Sequence, residues 1–445
     1  MKNDSNLLNK KVLIVGEGSP LKERFLKIGK DLGIEIFMVD SKPPSFSKKY
    51  LSGFVKINFF NLKESLQIIN NYLLENNISI DGIVTYWERF VYPTAFFAKK
   101  LKLYGNSLFS ASLCRNKFLL YSYLKKYKLF SKKFWYYRLN YNSDVLEERE
   151  NIKRFIWEKL RKNKKIFILK PDSLAASKGV LKLSRKNFNN KEKQKKLDRL
   201  IEKLIENVRN INYKEYKIRG LILMDFIRGK EFSIEGYVDK NGIKIIQITE
   251  KFNIKGNYFV EKGDWSIPRL SKKNILILKK YVKEVIEKTK TQFTCFHMEV
   301  KWDKDLNKPQ IIELNGRIGG DDIHCLVKNT YNFDLAKAMY EIAVNGFTDP
   351  PKFENPQKLG VAKYFLPSYN CKVININVSK KLSKFRNFIK ELILPQKNRE
   401  YLTPPDGYDY FGWLTLVFNK NTKRKEALEL INKIFKLIKF KLVKI

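Results

Sequence analysis

The stretch Phe296–His324, FHMEVKWDKDLNKPQIIELNGRIGGDDIH, constrains the fold more than any other part of the chain. Two apolar, alternating runs flank Asp303–Pro309, a segment with the composition of a turn, so the spacing predicts a hairpin of two strands. Side chains two apart on a strand share a face, which puts Glu313 and Asn315 together. An in-register hairpin brings Glu299 close to them. Two carboxylates and an amide oxygen are hard oxygen donors that suit Mg²⁺ held together with substrate phosphates. Arg317 lies two further along that face, where a guanidinium can stabilise a transferring phosphoryl group. Any one of these residues alone reads as a strand residue or salt-bridge partner. The set, followed by Gly319–Gly320 and holding both of the chain's histidines, His297 and His324, reads as a metal–phosphate site.

Upstream, residues 11–105 alternate strand and helix signals. KVLIVG, IEIFMVD, FVKIN and DGIVTY read as strands, with helical stretches around Leu21–Leu32, Leu62–Asn76 and Tyr92–Lys102. This βαβ repetition predicts a parallel sheet with helices on both faces. Gly16 and Gly18 match only part of a dinucleotide fingerprint and read as a tight βα turn. ASLCRNKFLLYSYLKKYKLF, 111–130, reads as one helix, and 186–217 as a solvated charged helix with its flanks. Further strands are read in KIFILK, LILMDF, EFSIEGYV, IKIIQITEKF, GVAKYFL and YFGWLTLVF. Helices are read at Lys272–Lys288 and near Lys425–Lys436. No internal repeat and no Gly/Ser linker appears.

The length of 445 residues suffices for two to four domains. No apolar run reaches 18 residues, which argues against a membrane helix. The N-terminal residues lack a signal-peptide pattern. The four cysteines have no CxxC spacing, which argues against structural zinc or a disulfide scaffold and fits a reducing cytosol. A cytoplasmic protein is therefore expected. The net charge of +42 is extreme, and one reading is a polyanionic partner. Lysine far outnumbers arginine, however, and Asn, Ile, Phe and Tyr are abundant, as an AT-rich genome produces. The lysines are scattered and no nucleic-acid motif accompanies them. The charge is read as compositional, with no nucleic-acid or membrane partner, while still drawing anionic substrates such as nucleotides.

Lys170 ends an apolar strand and opens a loop of small residues, Ser173, Ala175, Ala176, Ser177 and Gly179. Small residues let backbone N–H groups approach phosphate oxygens, and a strand-end lysine adds a point charge. Walker A spacing is absent. Glu231 begins a strand after a turn at Arg228–Gly229, where a carboxylate can hold ribose hydroxyls. Lys117 taken alone reads as a surface lysine, and Trp87, Trp265 and His324 read first as packing.

The order Lys117, Lys170 with its loop, ILMDFIRGKE, Glu299 and IIELNGRIGG resembles the ATP-grasp superfamily over about residues 11–445. It looks most similar to the L-amino acid ligases of the bacilysin-synthetase type, on DGIVTYWE with Glu88, RNK at 115–117, SKGV at 177–180, His297 and ELNGRIGGDDI. The resemblance implies an α/β and α+β chain with a Rossmann-like domain over 1–111, a two-part ATP-grasp domain over 112–348 and a C-terminal α+β region over 349–445. It implies that Lys117 and Lys170 bind ATP phosphates, that the loop with Ser177 and Gly179 closes over them, and that Asp225 and Ile227 offer backbone groups to adenine. Glu231 would hold ribose, and Glu299, Glu313 and Asn315 would hold Mg²⁺, or Mn²⁺ in its place. Arg317 would contact the acyl-phosphate, with Lys170 beside it. His297, Glu261, Gly319 and Gly320 would face the amino-acid substrate. The implied reaction is ADP-forming carboxylate–amine ligation of small molecules, in a homodimer. The alternatives are another ligase or carboxylase, a ligase acting on a protein tail, or a non-catalytic nucleotide- or polyanion-binding protein. Two departures from the family pattern are Met224, where many members have an adenine-binding glutamate, and Ala-Ala where the loop often carries glycine.

Overall fold

A computed structural model describes residues 7–445 except 163–164, 175–176, 213–217 and 253–258. The N-terminal segment forms strands β1 (Lys11–Val15), β2 (Glu35–Asp40), β3 (Leu51–Lys56) and β4 (Gly82–Val84). Helices α1 (Glu23–Asp31), α2 (Leu62–Glu75) and α3 (Val91–Lys100) connect or follow them. The strands pair in parallel in the order β3-β2-β1-β4. The interiors of β1, β2 and β4 are apolar because both faces are covered, whereas the edge strand β3 exposes Ser52. Val12, Ile14, Ile36 and Met38 pack with Phe25 and Leu26 of α1. Leu13, Val15, Phe37 and Val39 pack on the other face with Ile69 of α2 and Phe97 of α3. The expected sheet with helices on both sides is present. Gly16, at φ +84°, takes the left-handed turn that ends β1, and a Cβ there would overlap the Phe90 ring. That agrees with a tight turn.

The stretch read as one helix over 111–130 is two, α4 (Leu108–Arg115) and α5 (Lys117–Lys126). Asn116 breaks it. Its backbone is extended (φ −135°, ψ 107°) and its side chain accepts from the Leu119 N–H, so it caps α5. Lys117 is therefore the first residue of α5, buried, with its N–H donated to the Asp172 carbonyl at 2.8 Å.

Next come β5 (Phe134–Arg138), α6 (Val145–Leu160), β6 (Phe167–Pro171), β7 (Leu181–Leu183), α7 (Lys191–Asn212) and β8 (Gly220–Asp225). The strands form an antiparallel sheet ordered β5-β8-β6-β7. The charged helix α7 is solvated on one side only. Leu197, Ile201, Leu204, Ile205 and Val208 recur at helical spacing and are buried against α6 and the sheet.

The largest sheet draws on β9 (Glu231–Asp239), β10 (Gly242–Lys251), β11 (Gly263–Trp265), β12 (Thr294–Asp303), β13 (Lys308–Asn315) and β14 (Lys358–Phe365). Helices α8 (Lys272–Lys288), α9 (Ile323–Tyr331) and α10 (Leu335–Asn345) lie between them in sequence. The remainder is β15 (Cys371–Val378), β16 (Ile389–Ile393), β17 (Glu400–Tyr401), β18 (Gly412–Asn419), α11 (Arg424–Phe435) and β19 (Ile438–Lys444). Eight strands pair antiparallel in the order β13-β12-β9-β10-β11-β14-β18-β16, so the sheet runs unbroken across position 348. A small sheet, β17-β15-β19, closes the C-terminal end, where Ala427, Ile431 and Ile434 of α11 are buried. Met298, Val300 and Leu314 of β12 and β13 point into a core shared with α4, α5 and α8. The opposite face of these strands is the polar one, and it faces a cavity.

Candidate active site

The hairpin pairs in the expected register. Glu299 lies opposite Glu313, and His297 opposite Asn315. On the other side of β12, Glu235 of β9 lies opposite His297, Ser233 opposite Glu299, and Glu231 opposite Lys301. Alternation thus sets a polar patch on one face of three adjacent strands. It faces a cavity of about 540 Å³ that is also walled by Lys117, Lys170, Ser177, Asp225, Ile227, Glu261, Arg317 and Gly320.

Burial forces the charges in this cavity to pair. Lys117 Nζ lies 3.2 Å from Glu313 Oε2 and donates to the Leu174 carbonyl at 2.7 Å. Lys251 Nζ lies 2.6 Å from Glu299 Oε1 and 3.2 Å from Glu231 Oε1, and it also pairs with Glu261. Arg317 reaches Glu88 Oε2 at 3.1 Å, and Arg115 reaches the other Glu88 oxygen at 3.3 Å. Lys170 donates to the Tyr121 hydroxyl at 2.7 Å, and that hydroxyl donates to the Ile312 carbonyl. His297 Nδ1 meets Glu235 Oε1 at 2.5 Å, with Nε2 3.6 Å from Glu299.

These contacts set the protonation states. Burial, helped by repulsion from Lys117, pulls Lys170 down to about 7. Burial works against Lys117 too, but Glu313 and Glu88 raise it. Glu299 is held well below the usual carboxylate range, because Lys251 and His297 overcome its burial. Burial raises Glu313 and lifts Glu261 to about 7. For His297, burial is outweighed by Glu235, and the ring is raised to about 10.

The donor set fits a divalent cation. Asn315 Oδ1 is buried without a hydrogen-bond partner among the described residues, while its Nδ2 donates to Glu313 at 3.1 Å. A carboxamide oxygen left unpaired beside two carboxylates is an orphan that a cation satisfies. Oxygens of Glu231, Glu261 and Glu299 also lie within 4.8 Å of one another around the Lys251 ammonium.

Two of the expected residues stand behind the cavity wall. A Cβ on Gly319 would lie 2.9 Å from Glu235 Oε2 and 3.1 Å from His297 Nδ1, so this glycine makes room for that pair. Gly179, at φ +72°, closes the loop against Leu204 and Pro171. Ser177 lines the cavity with a left-handed backbone, φ +56°. Ala175 and Ala176 lie outside the described residues. Trp87 also lines the cavity, whereas Trp265 and His324 pack elsewhere. His324 contacts Phe25 and bonds to Asp334 at 2.8 Å.

Sequence reasoning missed Lys251, Lys301 and Glu235. Lys301 lies two residues after Glu299 on the same strand face, so alternation was a usable signal. Lys251 ends β10, and only the tertiary fold shows that it reaches three glutamates.

Residues 164–325 match the ATP-grasp domain family. No curated protein matches the sequence. Among solved structures, the chain is similar to an L-amino acid ligase from Bacillus licheniformis at 20% identity and a TM-score of 0.79, covering 97% of this chain and 98% of that one. It is similar to phosphoribosylglycinamide synthetase from Anaerococcus prevotii (19%, TM-score 0.68, 98% and 100% covered). It is also similar to N5-carboxyaminoimidazole ribonucleotide synthetase from Thermotoga maritima (16%, TM-score 0.65, 98% and 100% covered).

Proposed function

This chain carries an ATP-grasp domain over residues 164–325, the fold of ATP-dependent ligases, and on that premise we propose that it joins a carboxylate to an amine, both on amino acids, with release of ADP and phosphate. The observation that carries the reading is the convergence of Lys117, Lys170, Glu299, Glu313, Asn315 and Arg317 on one cavity. The end-to-end similarity to the Bacillus licheniformis L-amino acid ligase supports amino acids as the substrate class.

In this reading the substrate carboxylate attacks the γ-phosphorus of ATP, giving an acyl-phosphate and ADP. An amine nitrogen then attacks the acyl carbon, phosphate leaves, and the nitrogen loses a proton as the amide forms. Lys117 and Lys170 cradle the phosphates. Phosphate oxygens arriving beside Lys170 favour its charged form, reversing the effect of burial. Asp225 and Ile227 border the adenine with backbone groups, and Glu231 takes the ribose. The loop with Ser177 and Gly179 covers the phosphates and excludes water. Glu299, Glu313 and Asn315 would hold Mg²⁺ or Mn²⁺, which would supply charge neutralisation at the phosphates. Arg317 places its guanidinium against the acyl-phosphate. His297, kept cationic by Glu235, orients the substrate carboxylate and is not a base at neutral pH. Glu261, lifted to about 7, accepts the amine proton. Gly319 keeps His297 in place, and Gly320 leaves the cavity open beside Lys22. Most of the acceleration comes from positioning and charge.

A division along the chain at 111 and at 348, the second crossed by the large sheet through β11–β14 pairing, a homodimeric assembly and a cytoplasmic location belong to the same proposal. Among the described residues no helix is long and apolar enough to cross a membrane. The test is phosphate release with ATP and Mg²⁺ across pairs of amino acids, with product masses recorded. Release that requires a pair, with a new mass equal to both acids minus water, is expected. Tight ATP binding with no release for any pair would overturn amino-acid ligation.

A further inference from the structure

One part of the cavity wall has no role in phosphate or metal binding. It is made by Asp264 in the middle of β11, Tyr364 of β14, Tyr410, and Asp321 in the turn before α9. The Tyr364 and Tyr410 rings stack at 5.3 Å with an interplanar angle of 25°. The Tyr364 hydroxyl lies 3.2 Å from Asp264 Oδ2 and also bonds to Asp322, while Tyr410 bonds to Asp321.

This wall is short of positive charge. A phenol has one hydrogen, so Tyr364 cannot donate to Asp264 and Asp322 at once. Asp264 is 2% exposed and Asp322 fully buried, yet Asp264 Oδ1 and Asp322 Oδ2 have no hydrogen-bond partner among the described residues. The nearby cations are committed elsewhere. Lys251 serves three glutamates, and Arg24 serves Glu391 and the Asp321 carbonyl. That leaves Lys22, which acts on Asp321. An unpaired carboxylate oxygen on a cavity wall, beside aromatic rings, is how proteins receive organic cations. Burial meanwhile pushes the Asp322 carboxyl up to about 8 and Asp264 well above its usual range, so both favour the protonated form until a cation stands beside them.

We propose that Asp264, Asp321 and the Tyr364–Tyr410 pair, with Asp322 buried behind the Tyr364 hydroxyl, form a recognition pocket for a positively charged nitrogen on the substrate, either its α-ammonium or a cationic side chain. The inference rests on the reading of this cavity as an amino-acid site and adds what selects the acid. A neutral carboxylic acid leaves the aspartates unpaired, whereas a cation-bearing one satisfies them, so discrimination comes from a buried charge pair.

The test is isothermal titration calorimetry of the whole chain, with ADP and Mg²⁺ present, using L-lysine, L-norleucine and hexanoate. The three share a six-carbon chain and carry two, one and no ammonium groups. If the side chain is the ligand, lysine binds at least tenfold tighter than norleucine, and Asp264→Asn removes the difference. If the α-ammonium is the ligand, lysine and norleucine bind alike and at least tenfold tighter than hexanoate, and Asp264→Asn removes that difference. Either result upholds the pocket. Equal or undetectable binding of all three acids, or discrimination unchanged in an Asp264→Asn protein that keeps its Tm and ADP affinity, would overturn it. Should Asp264→Asn fail to fold, Asp321→Asn, in the less buried turn, carries the same expectation. Binding is read without turnover. Absence of phosphate release would therefore count against the ligase reading alone, and absence of discrimination against the pocket alone.

Discussion

The Lys117–Glu313 pair offers a way to separate what the site does for folding from what it does for chemistry. Nζ and Oε2 are 3.2 Å apart, and the side chains are 10% and 11% exposed. At an effective dielectric of about 20, two unit charges at this distance attract by about 5 kcal/mol. Removing one member of a buried pair costs about 3–5 kcal/mol, because the other charge is left uncompensated. For Glu313→Gln the lower end applies, about 3 kcal/mol, since Glu88 still acts on Lys117. For Lys117→Met the cost is about 2 kcal/mol, because burial already raises Glu313, and without Lys117 to lower it the carboxyl takes up a proton. The double variant leaves no orphaned charge, so its cost falls short of the sum by about 2–3 kcal/mol. Urea unfolding of the four proteins without nucleotide measures this coupling. ADP formation behaves differently. Both groups address phosphates or metal in the proposed mechanism, so the double variant regains stability while its turnover stays at least about 10²-fold below wild type. Stability effects that add to within about 0.5 kcal/mol would refute the pairing argument. Wild-type turnover in the double variant would refute the site assignment.

Three further predictions follow from the same geometry. Lys251→Met leaves Glu231, Glu261 and Glu299 without their shared cation and costs about 3 kcal/mol, and millimolar Mg²⁺ or Mn²⁺ raises the Tm of this variant more than that of wild type. Equal metal-induced shifts would count against a cation site there. Lys170 carries a pH signature: its pKa falls from 10.5 in the unfolded chain to about 7, so the unfolded state binds the proton first. The stability lysine 170 allows at high pH is lost as pH falls towards about 7, and Lys170→Met gains on wild type between pH 10 and 7 in urea midpoints; a pH-independent difference would contradict this. Gly319→Ala places a methyl 3.1 Å from His297 Nδ1 and 2.9 Å from Glu235 Oε2, costs about 1–3 kcal/mol, and lowers turnover with ADP affinity unchanged. Retention of full turnover would show that the His297–Glu235 pair does not orient substrate.

The parts of the fold set by local pattern were legible in the sequence. Strict alternation gave the β12–β13 hairpin with Glu299 opposite Glu313, and the helical period gave α8 at Lys272–Lys288. The βα alternation gave the parallel sheet, because strands buried on both faces have to be uniformly apolar. Harder features depend on partners far away in the chain. The break at Asn116 is favoured by a cap and fixed by the bond from Lys117 to Asp172, 55 positions on. The strands after position 348 continue the central sheet through β11–β14 and β14–β18 pairing, which no local period announces. The aspartate–tyrosine wall is the extreme case. Asp264, Asp322, Tyr364 and Tyr410 come from four separated segments, and each alone reads as an ordinary polar residue.

If the cavity takes nucleotide and metal as proposed, both would have to displace ion pairs already formed there. Without nucleotide, Lys117 is matched to Glu313, Lys251 to Glu299, and Arg317 to Glu88, so the buried charges stabilise one another and the site needs no bound ion to fold. In each pair one member suits a phosphate and the other suits a cation. A phosphate entering alone takes the lysines and leaves Glu299 and Glu313 facing each other across one strand pair. On the proposed reading, a divalent cation entering alone would take Glu299 and Glu313, leaving Lys117 without its carboxylate and Lys251 with Glu231 and Glu261 only. Only an anion and a cation entering together replace every broken pair with a new one. On the proposed reading, the unliganded ion pairs would couple nucleotide binding to metal binding through charge conservation inside a low-dielectric cavity, so each ligand would raise the affinity for the other.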